Sequence, residues 1–371
     1  MKIIVAGTRG IPNIQGGIET HCEELYPRLA SMGYEIVLIR RSCFVPRENA
    51  LSEYKGVKLV TLFTLRVKTV ETLIHTFLSV IWAKRNKADI LHLHAIGPAI
   101  YIPLAKLIGL KVVFTHHGPD YNRAKWGPFA KSVLRLGERF GTSMADEVIV
   151  ISEVIRDLLA NKYKRNNTNL IYNGFSLPIF TSKTDYLTSL GLRSANYVFT
   201  LGRFVEEKGF DLLISALRSS NHNNYPLVIA GDADHETSYS TRLRKLADKE
   251  GIILTGFIKG EELRQLFTNA RLFVLPSFHE GLPISLLEAM SYKLPVLVSD
   301  IPANKLVNLP DEKYFRTGDM ISLKNKLDEI LSSDFKRFEY DMTPYNWDII
   351  AQKTSEVYDR AYGWSVVDKK Q

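Results

Sequence analysis

The sequence predicts an α/β protein built from two doubly wound, Rossmann-like domains, and three observations carry this. Apolar runs of strand length alternate with amphipathic stretches of helix length along nearly the whole chain, the pattern of parallel sheets with crossover helices. Strands such as Leu272–Leu275 are unbroken apolar runs, as strands buried on both faces are. A length of 371 residues is enough for two domains of ordinary size with well-buried cores. The hydrophobic share of 45% and the charged share of 24% are those of a soluble globular protein. The two cysteines, Cys22 and Cys43, indicate neither a disulfide framework nor a zinc site. The first ten residues read as a strand and turn rather than a signal peptide, and no apolar run is long enough to span a bilayer. A cytoplasmic chain is expected.

The first strand is expected at Ile3–Ala6, followed by a glycine-rich loop ending in Gly16-Gly17 and a helix from Ile18 to Ser31. Gly16 and Gly17 before a helix let backbone approach a phosphate closely, although a glycine pair can also be only a tight turn. Their spacing is not the Gly-x-Gly-x-x-Gly dinucleotide fingerprint, which disfavours a nicotinamide enzyme. Further strands are expected at Tyr34–Ile39, Lys58–Leu62, Ile90–His94, Lys111–Thr115 and Val148–Ile151. Helices are expected at Val70–Ala83, Phe129–Ser143 and Glu153–Asn161, the last capped by Ser152. His92 and His94 alternate on a strand and share a face, which fits a hydrogen-bonded pair better than a metal pair, since no carboxylate accompanies them. His117 lies just beyond the carboxyl end of a strand, where α/β sites are built. The turn-rich Phe175–Asn196 reads as an interdomain linker.

The second domain is expected to open with the strand Tyr197–Leu201, the turn Gly202-Arg203-Phe-Val-Glu-Glu-Lys208-Gly209 and the helix Phe210–Arg218. Arg203 and Lys208 in one strand-to-helix turn place two cations at a helix start, which suits a diphosphate. Strands at Leu227–Ala230 and Ile252–Thr255 follow. The Asp232-Ala-Asp234 sequence reads as a turn rather than a metal site. In the stretch Phe273–Met290, Glu280 sits in the loop after the strand, and Pro283 can start a helix that carries Glu288. The first amides of that helix, at Ile284 and Ser285, form an anion site with the helix dipole. A loop carboxylate, a helix carboxylate and a phosphate-sized positive pocket suit a sugar nucleotide, and two solvated glutamates fit the spacing as well. A strand at Pro295–Ser299, helices to about Leu331 and an amphipathic helix Trp347–Tyr362 complete the chain.

Glu280-Gly-Leu282-Pro, followed by Glu288-Ala-Met, resembles the donor-site signature of retaining GT-B glycosyltransferases, and Gly202-Arg203-x-x-x-Glu-Lys208-Gly resembles their diphosphate clamp. The resemblance implies the GT-B fold, with acceptor-side residues 1–175 and nucleotide-sugar-binding residues 176–345 as two domains facing across a cleft, and residues 346–371 returning to the first. It implies transfer of a sugar from a nucleotide-sugar co-substrate with retention of configuration, with no further cofactor and no metal. By resemblance, His117 and Glu280 contact the transferred sugar. Gly16, Gly17, Arg203, Lys208, Leu282, Ile284 and Glu288 line the donor, with Glu288 on the ribose. Gly-Thr-Arg-Gly-Ile-Pro…Gly16-Gly17-Ile-Glu-Thr and Asp120…Lys125-Trp126-Gly127 are similar to bacterial polysaccharide rhamnosyltransferases, which implies dTDP-rhamnose and a lipid-linked saccharide acceptor of a capsule or O-antigen. The chain departs from the commonest pattern where Leu282-Pro283 replaces Phe-Gly, and where Leu306 stands at a frequently acidic position. A UDP- or GDP-linked donor therefore remains open. A sugar-nucleotide epimerase shares the architecture but needs acid and base residues that the sequence does not assemble.

Residues 1–180 hold 24 Lys and Arg against 14 Asp and Glu, so the whole surplus of the +8 chain lies in its first half. Such a bias speaks to phosphates or an anionic membrane surface. Nucleic acid is not expected, since no recognition motif is present. Arg66, Lys68, Lys84, Arg85 and Lys87 flank the apolar Leu73–Trp82, which suits either an interfacial helix on the inner face of the membrane or an ordinary core helix.

Overall fold

Each long apolar run becomes a central strand with almost no exposed surface, from Ile3–Ala6 in the first half to Leu272–Leu275 in the second. In the computed structural model, which describes residues 1–45, 50–64, 70–123 and 126–363, these strands belong to two separate units. The first gathers the chain up to Gly174 and takes back the segment from Tyr345 onward, and the second is Phe175–Pro344.

The first unit runs β1 (Lys2–Ala6), α1 (Gly17–Ser31), β2 (Glu35–Arg41), β3 (Glu53–Tyr54), β4 (Val57–Leu62), α2 (Val70–Arg85), β5 (Ile90–His94), α3 (Ile102–Leu107), β6 (Lys111–His116), α4 (Pro128–Met144), β7 (Glu147–Val150), α5 (Glu153–Tyr163) and β8 (Asn169–Leu170). Its described strands are ordered β3-β4-β2-β1-β5-β6-β7-β8. All pairs are parallel except the short β3–β4 hairpin. Strand β1 thus lies between β2 and β5, the place where the strand order reverses.

The second unit contains α6 (Asp185–Ser189), β9 (Val198–Leu201), α7 (Phe210–Arg218), β10 (Leu227–Ala230), α8 (Ser238–Lys249), β11 (Ile253–Gly256), α9 (Gly260–Asn269), β12 (Leu272–Leu275), α10 (Ile284–Ser291), β13 (Val296–Ser299), α11 (Pro302–Lys305), β14 (Tyr314–Phe315) and α12 (Met320–Ser332). Its sheet is parallel, ordered β11-β10-β9-β12-β13-β14, and reverses at β9. Helix α13 (Trp347–Tyr362) belongs to the first unit and packs along α1. Asn346 caps it, Arg28 pairs with Asp348 at 2.8 Å, and Trp347 and Tyr358 are buried. The α13 start leaves no room for a side chain at Gly174, whose added Cβ would lie 2.7 Å from the Trp347 ring.

Two expectations need correction, and two helices were not foreseen. Phe175–Asn196 is not a bare linker: α6 is held on α9 by the buried Gln265 amide, which accepts from the Tyr186 N–H at 2.9 Å and donates to Asp185 at 2.8 Å. Pro283 does not occupy the first helical turn. It is the N-cap of α10, in extended conformation (φ −75°, ψ 114°), with its carbonyl accepting from Leu286 and Leu287. Helices α8 and α9, unassigned from sequence, are regular elements, the first opened by a capping box between Thr237 and Ser240.

Candidate active site

In an open α/β sheet, ligand sites form beyond the carboxyl ends of strands where the order reverses. In the second unit that point lies between β9 and β12, and the loops that follow these two strands hold Arg203, Lys208 and Glu280. The loops are locked together: the Phe278 N–H donates to the Glu207 carbonyl at 2.8 Å. Gly209, at φ 62°, permits the close approach, since an added Cβ would fall 2.5 Å from the Pro276 carbonyl oxygen. Across this junction Lys208 Nζ meets Glu280 Oε1 at 2.6 Å, with both side chains largely shielded, and Ser277 Oγ donates to the same oxygen at 2.6 Å. The structure therefore brings together two predicted site residues that are far apart in sequence.

Arg203 begins the β9 loop and pairs with Asp234 at 2.8 Å. Asp232 pairs with Arg244. The Asp-x-Asp sequence is thus a turn whose carboxylates face arginines. Leu282 and Ile284 are buried, and Glu288 is half-buried on the second turn of α10. The first amides of α10, including those of Ile284 and Ser285, have no carbonyl within the helix to bond, as at any helix start.

In the first unit the loop after β1 and the residues ending β5 and β6 converge. The two glycines do different work. Gly16 (φ 148°) makes room for Glu19, whose Oε2 would lie 2.0 Å from an added Cβ. Glu19 in turn fixes the loop by accepting from Thr8 Oγ1 at 3.1 Å and from the Arg9 N–H at 3.0 Å. Gly17 begins α1 and faces open space.

His117 joins a buried polar network. Its Nε2 lies 2.8 Å from His94 Nδ1, and Tyr26 OH bridges His94 Nε2 and His92 Nδ1. His92 also meets Tyr358 OH and Thr115 Oγ1, both at 2.7 Å; His92 and His94 share a face as expected, their rings stacked and each hydrogen-bonded to Tyr26 OH. His21 stacks edge-on against His94 and His117 and bonds Asn173 Oδ1 at 3.0 Å. Burial lowers every one of these imidazoles: His21 to about 4, His92 to about 3, and His94 and His117 well below the ordinary histidine value. The cluster is neutral at pH 7.

Residues 185–345 match the family model of glycosyl transferases group 1, and residues 15–177 that of glycosyltransferase family 4. Among curated relatives, an uncharacterized glycosyltransferase of Methanocaldococcus jannaschii is 24% identical over 96% of this chain and 98% of its own length. The GPI3 subunit of Saccharomyces cerevisiae phosphatidylinositol N-acetylglucosaminyltransferase is 23% identical over 96% of this chain and 82% of its own. Among solved structures, sucrose-phosphate synthase from Thermosynechococcus elongatus superposes with a TM-score of 0.82 at 20% identity, covering 97% of this chain and 98% of that one. Anabaena HepE in complex with UDP-glucose gives 0.72 at 18% identity, covering 97% and 95%. The chain is a glycosyltransferase of the GT-B type.

Sequence reasoning missed three residues of this glycosyltransferase's first-unit site: Glu19, His21 and Tyr26. The signal was present, because α1 buries Glu19, His21, Cys22, Leu25, Tyr26 and Leu29 on one face, and charged or polar groups on a buried helical face must have partners. Lys125, quoted for the rhamnosyltransferase resemblance, lies outside the described residues.

Proposed function

We propose that this glycosyltransferase moves a sugar from a nucleoside diphosphate to an acceptor hydroxyl with retention of configuration and without a metal ion. The observation that carries the reading is the Lys208–Glu280 pair at the reversal point of the second sheet, with Arg203 in the same loop. The barrier lies in separating an oxocarbenium-like sugar from a diphosphate that gains charge. Lys208, Arg203 and the amides of the α10 start supply positive charge for that leaving group. Glu280, steadied by Lys208 and Ser277, receives sugar hydroxyls, and Glu288 receives the ribose. His117, neutral and held by His94, contacts the sugar. The departing phosphate takes the acceptor proton.

The donor is dTDP-rhamnose and the acceptor a lipid-linked saccharide of a bacterial capsule or O-antigen. The support is the resemblance of the Gly7–Thr20 segment to polysaccharide rhamnosyltransferases, together with a relative whose name specifies a phosphatidylinositol acceptor. Calorimetry on two variants tests the division of labour. Glu288→Gln weakens both free dTDP and dTDP-rhamnose, whereas Glu280→Gln spares dTDP and weakens the sugar nucleotide. An equal loss for both ligands in both variants contradicts it.

The acceptor is reached at an anionic membrane surface. Helix α2 buries Val80 and Ala83 together with the polar Glu71, His75, Thr76 and Ser79, and exposes Phe77 and Leu78. Lys84, Arg85 and Lys87 are exposed at its end, while Trp82 is half-buried and Arg66 and Lys68 lie outside the described residues. Apolar side chains outward and basic residues at one end fit an interfacial helix, at about 1 kcal/mol per basic residue near an anionic surface. The protein floats with anionic vesicles at low salt and is released by high salt. The triple change of Lys84, Arg85 and Lys87 to glutamate abolishes flotation, and flotation unaffected by that change rules out this surface.

A further inference from the structure

We infer that His21, His94 and His117 form a site for a transition-metal ion of the zinc class, and that the bound ion inhibits sugar transfer by occupying His117. Three imidazoles reach one point from three elements: α1, the end of β5 and the loop after β6. Their nitrogens lie within 4.8 Å of one another and their ring centroids 5.1–5.5 Å apart. Zinc bound tetrahedrally at about 2.0–2.1 Å holds its nitrogens about 3.3 Å apart, so small ring shifts suffice. His94 Nδ1 and His117 Nε2, now 2.8 Å apart, move slightly outward, and His21 Nε2 moves inward.

The far nitrogens are already anchored in the manner of outer-shell partners in metal sites. Asn173 Oδ1 holds His21 Nδ1, which leaves His21 Nε2 to face the cluster, and Tyr26 OH holds His94 Nε2, which leaves Nδ1. When the ion binds, the ring that carries the N–H between His94 Nδ1 and His117 Nε2 changes tautomer, moving that proton to its far nitrogen, so both rings stay neutral and turn a lone pair to the ion. Because burial keeps the rings neutral at pH 7, no further proton competes. His117 is only half-buried, which gives the ion an entry path, and three imidazoles leave a fourth position for water. The inhibitory half of the inference rests on the assignment of His117 to the sugar; the binding half does not.

Cobalt(II) is the probe, because tetrahedral cobalt bound by imidazoles absorbs strongly in the visible. Chelator-treated, folded full-length protein titrated with cobalt develops this absorption at one ion per chain, and zinc displaces it. His21→Gln abolishes the absorption, Asn173→Ala weakens affinity about 10- to 100-fold, and His75→Gln, a buried histidine outside the cluster, changes nothing. Circular dichroism confirms that each variant is folded. Absence of tetrahedral absorption in the wild type, or its survival in His21→Gln, overturns the site. Zinc suppresses transfer in the wild type and a chelator restores it. Stoichiometric binding with undiminished transfer overturns the inhibitory half, together with the assignment of His117 to the sugar.

Discussion

Lys208→Ala lowers turnover by about 10²-fold or more, the scale seen when one preorganised donor to developing charge is removed. Lys208 sits where the second sheet reverses, its ammonium 2.6 Å from Glu280 and largely shielded from water. In that shielded position a cation acts on a leaving diphosphate far more strongly than it would in solvent. Removing it also takes from Glu280, the carboxylate proposed to receive the sugar, the ammonium that lies 2.6 Å from it. The fold survives: the two side chains keep 17% and 13% exposure, so breaking the pair costs about 1–3 kcal/mol, between an exposed and a fully buried pair, which lowers the Tm of the second unit by about 2–12 °C. Steady-state kinetics and a melting curve on the same preparation decide the matter. Near wild-type turnover shows that Lys208 is only structural charge.

The second large effect is on stability. Glu138, on α4, has no exposed side-chain surface and accepts from four groups: His116 at 3.1 Å, Tyr121 at 3.2 Å, Tyr163 at 2.7 Å and Lys162 at 2.5 Å. Burial alone pushes its carboxyl up. The hydrogen bonds from His116, Lys162 and Tyr163 and the attraction of His116 outweigh burial and lower it to about 2. Glu138→Gln leaves these donors facing a neutral amide and costs about 3 kcal/mol, the low end for a broken buried pair, because Lys162 can turn into water. That corresponds to a fall in Tm of about 6–12 °C. His116 Nδ1 also accepts from the Gly118 N–H at 3.1 Å and so shapes the turn carrying His117, which ties the defect to activity.

The pH dependence has a definite sign. Because the folded carboxyl is lowered from 4.5 to about 2, its contribution is complete above pH 4.5 and fades as pH falls toward 2. The gap between wild type and variant therefore narrows across that window, whereas protonation of His21, His92, His94 and His117, which burial holds low and which do not touch Glu138, destabilises both proteins alike. A Tm difference of less than about 2 °C at pH 7 removes Glu138 from the framework of the first unit.

The central strands of both sheets were legible because strands covered on both faces are written as unbroken apolar runs, and Leu272–Leu275 and Leu227–Ala230 fall where the pattern places them, whereas the two-residue strands β3, β8 and β14 are too short to show one. The donor-side turns were legible as strand, cations and helix start. What a linear reading lacks is strand order. Nothing local says that β9 lies beside β12, so the contact between Lys208 and Glu280, 72 positions apart, appears only in the folded chain. The same holds for His21 and Asn173, 152 positions apart, and for the histidine cluster that they anchor. Helix α8 escaped notice because most of its 12 residues are polar and Tyr239, Leu243 and Ala247 alone are its buried apolar side chains, although Thr237 and Ser240 form a capping box at its start. Pro283 lies one position before the helix, where its fixed φ fits the extended N-cap and its carbonyl accepts from Leu286 and Leu287.

Phosphorus NMR reads whether the protein transfers rhamnose from its nucleotide. dTDP-rhamnose, UDP-glucose and GDP-mannose are each incubated with the purified protein, EDTA and a lipid-linked saccharide extract. Conversion of dTDP-rhamnose to free dTDP is expected only when acceptor is present, with proton spectra of the product showing the anomeric configuration of the donor. Release of no nucleoside diphosphate from any donor, or a product of inverted configuration, contradicts retaining transfer by this protein.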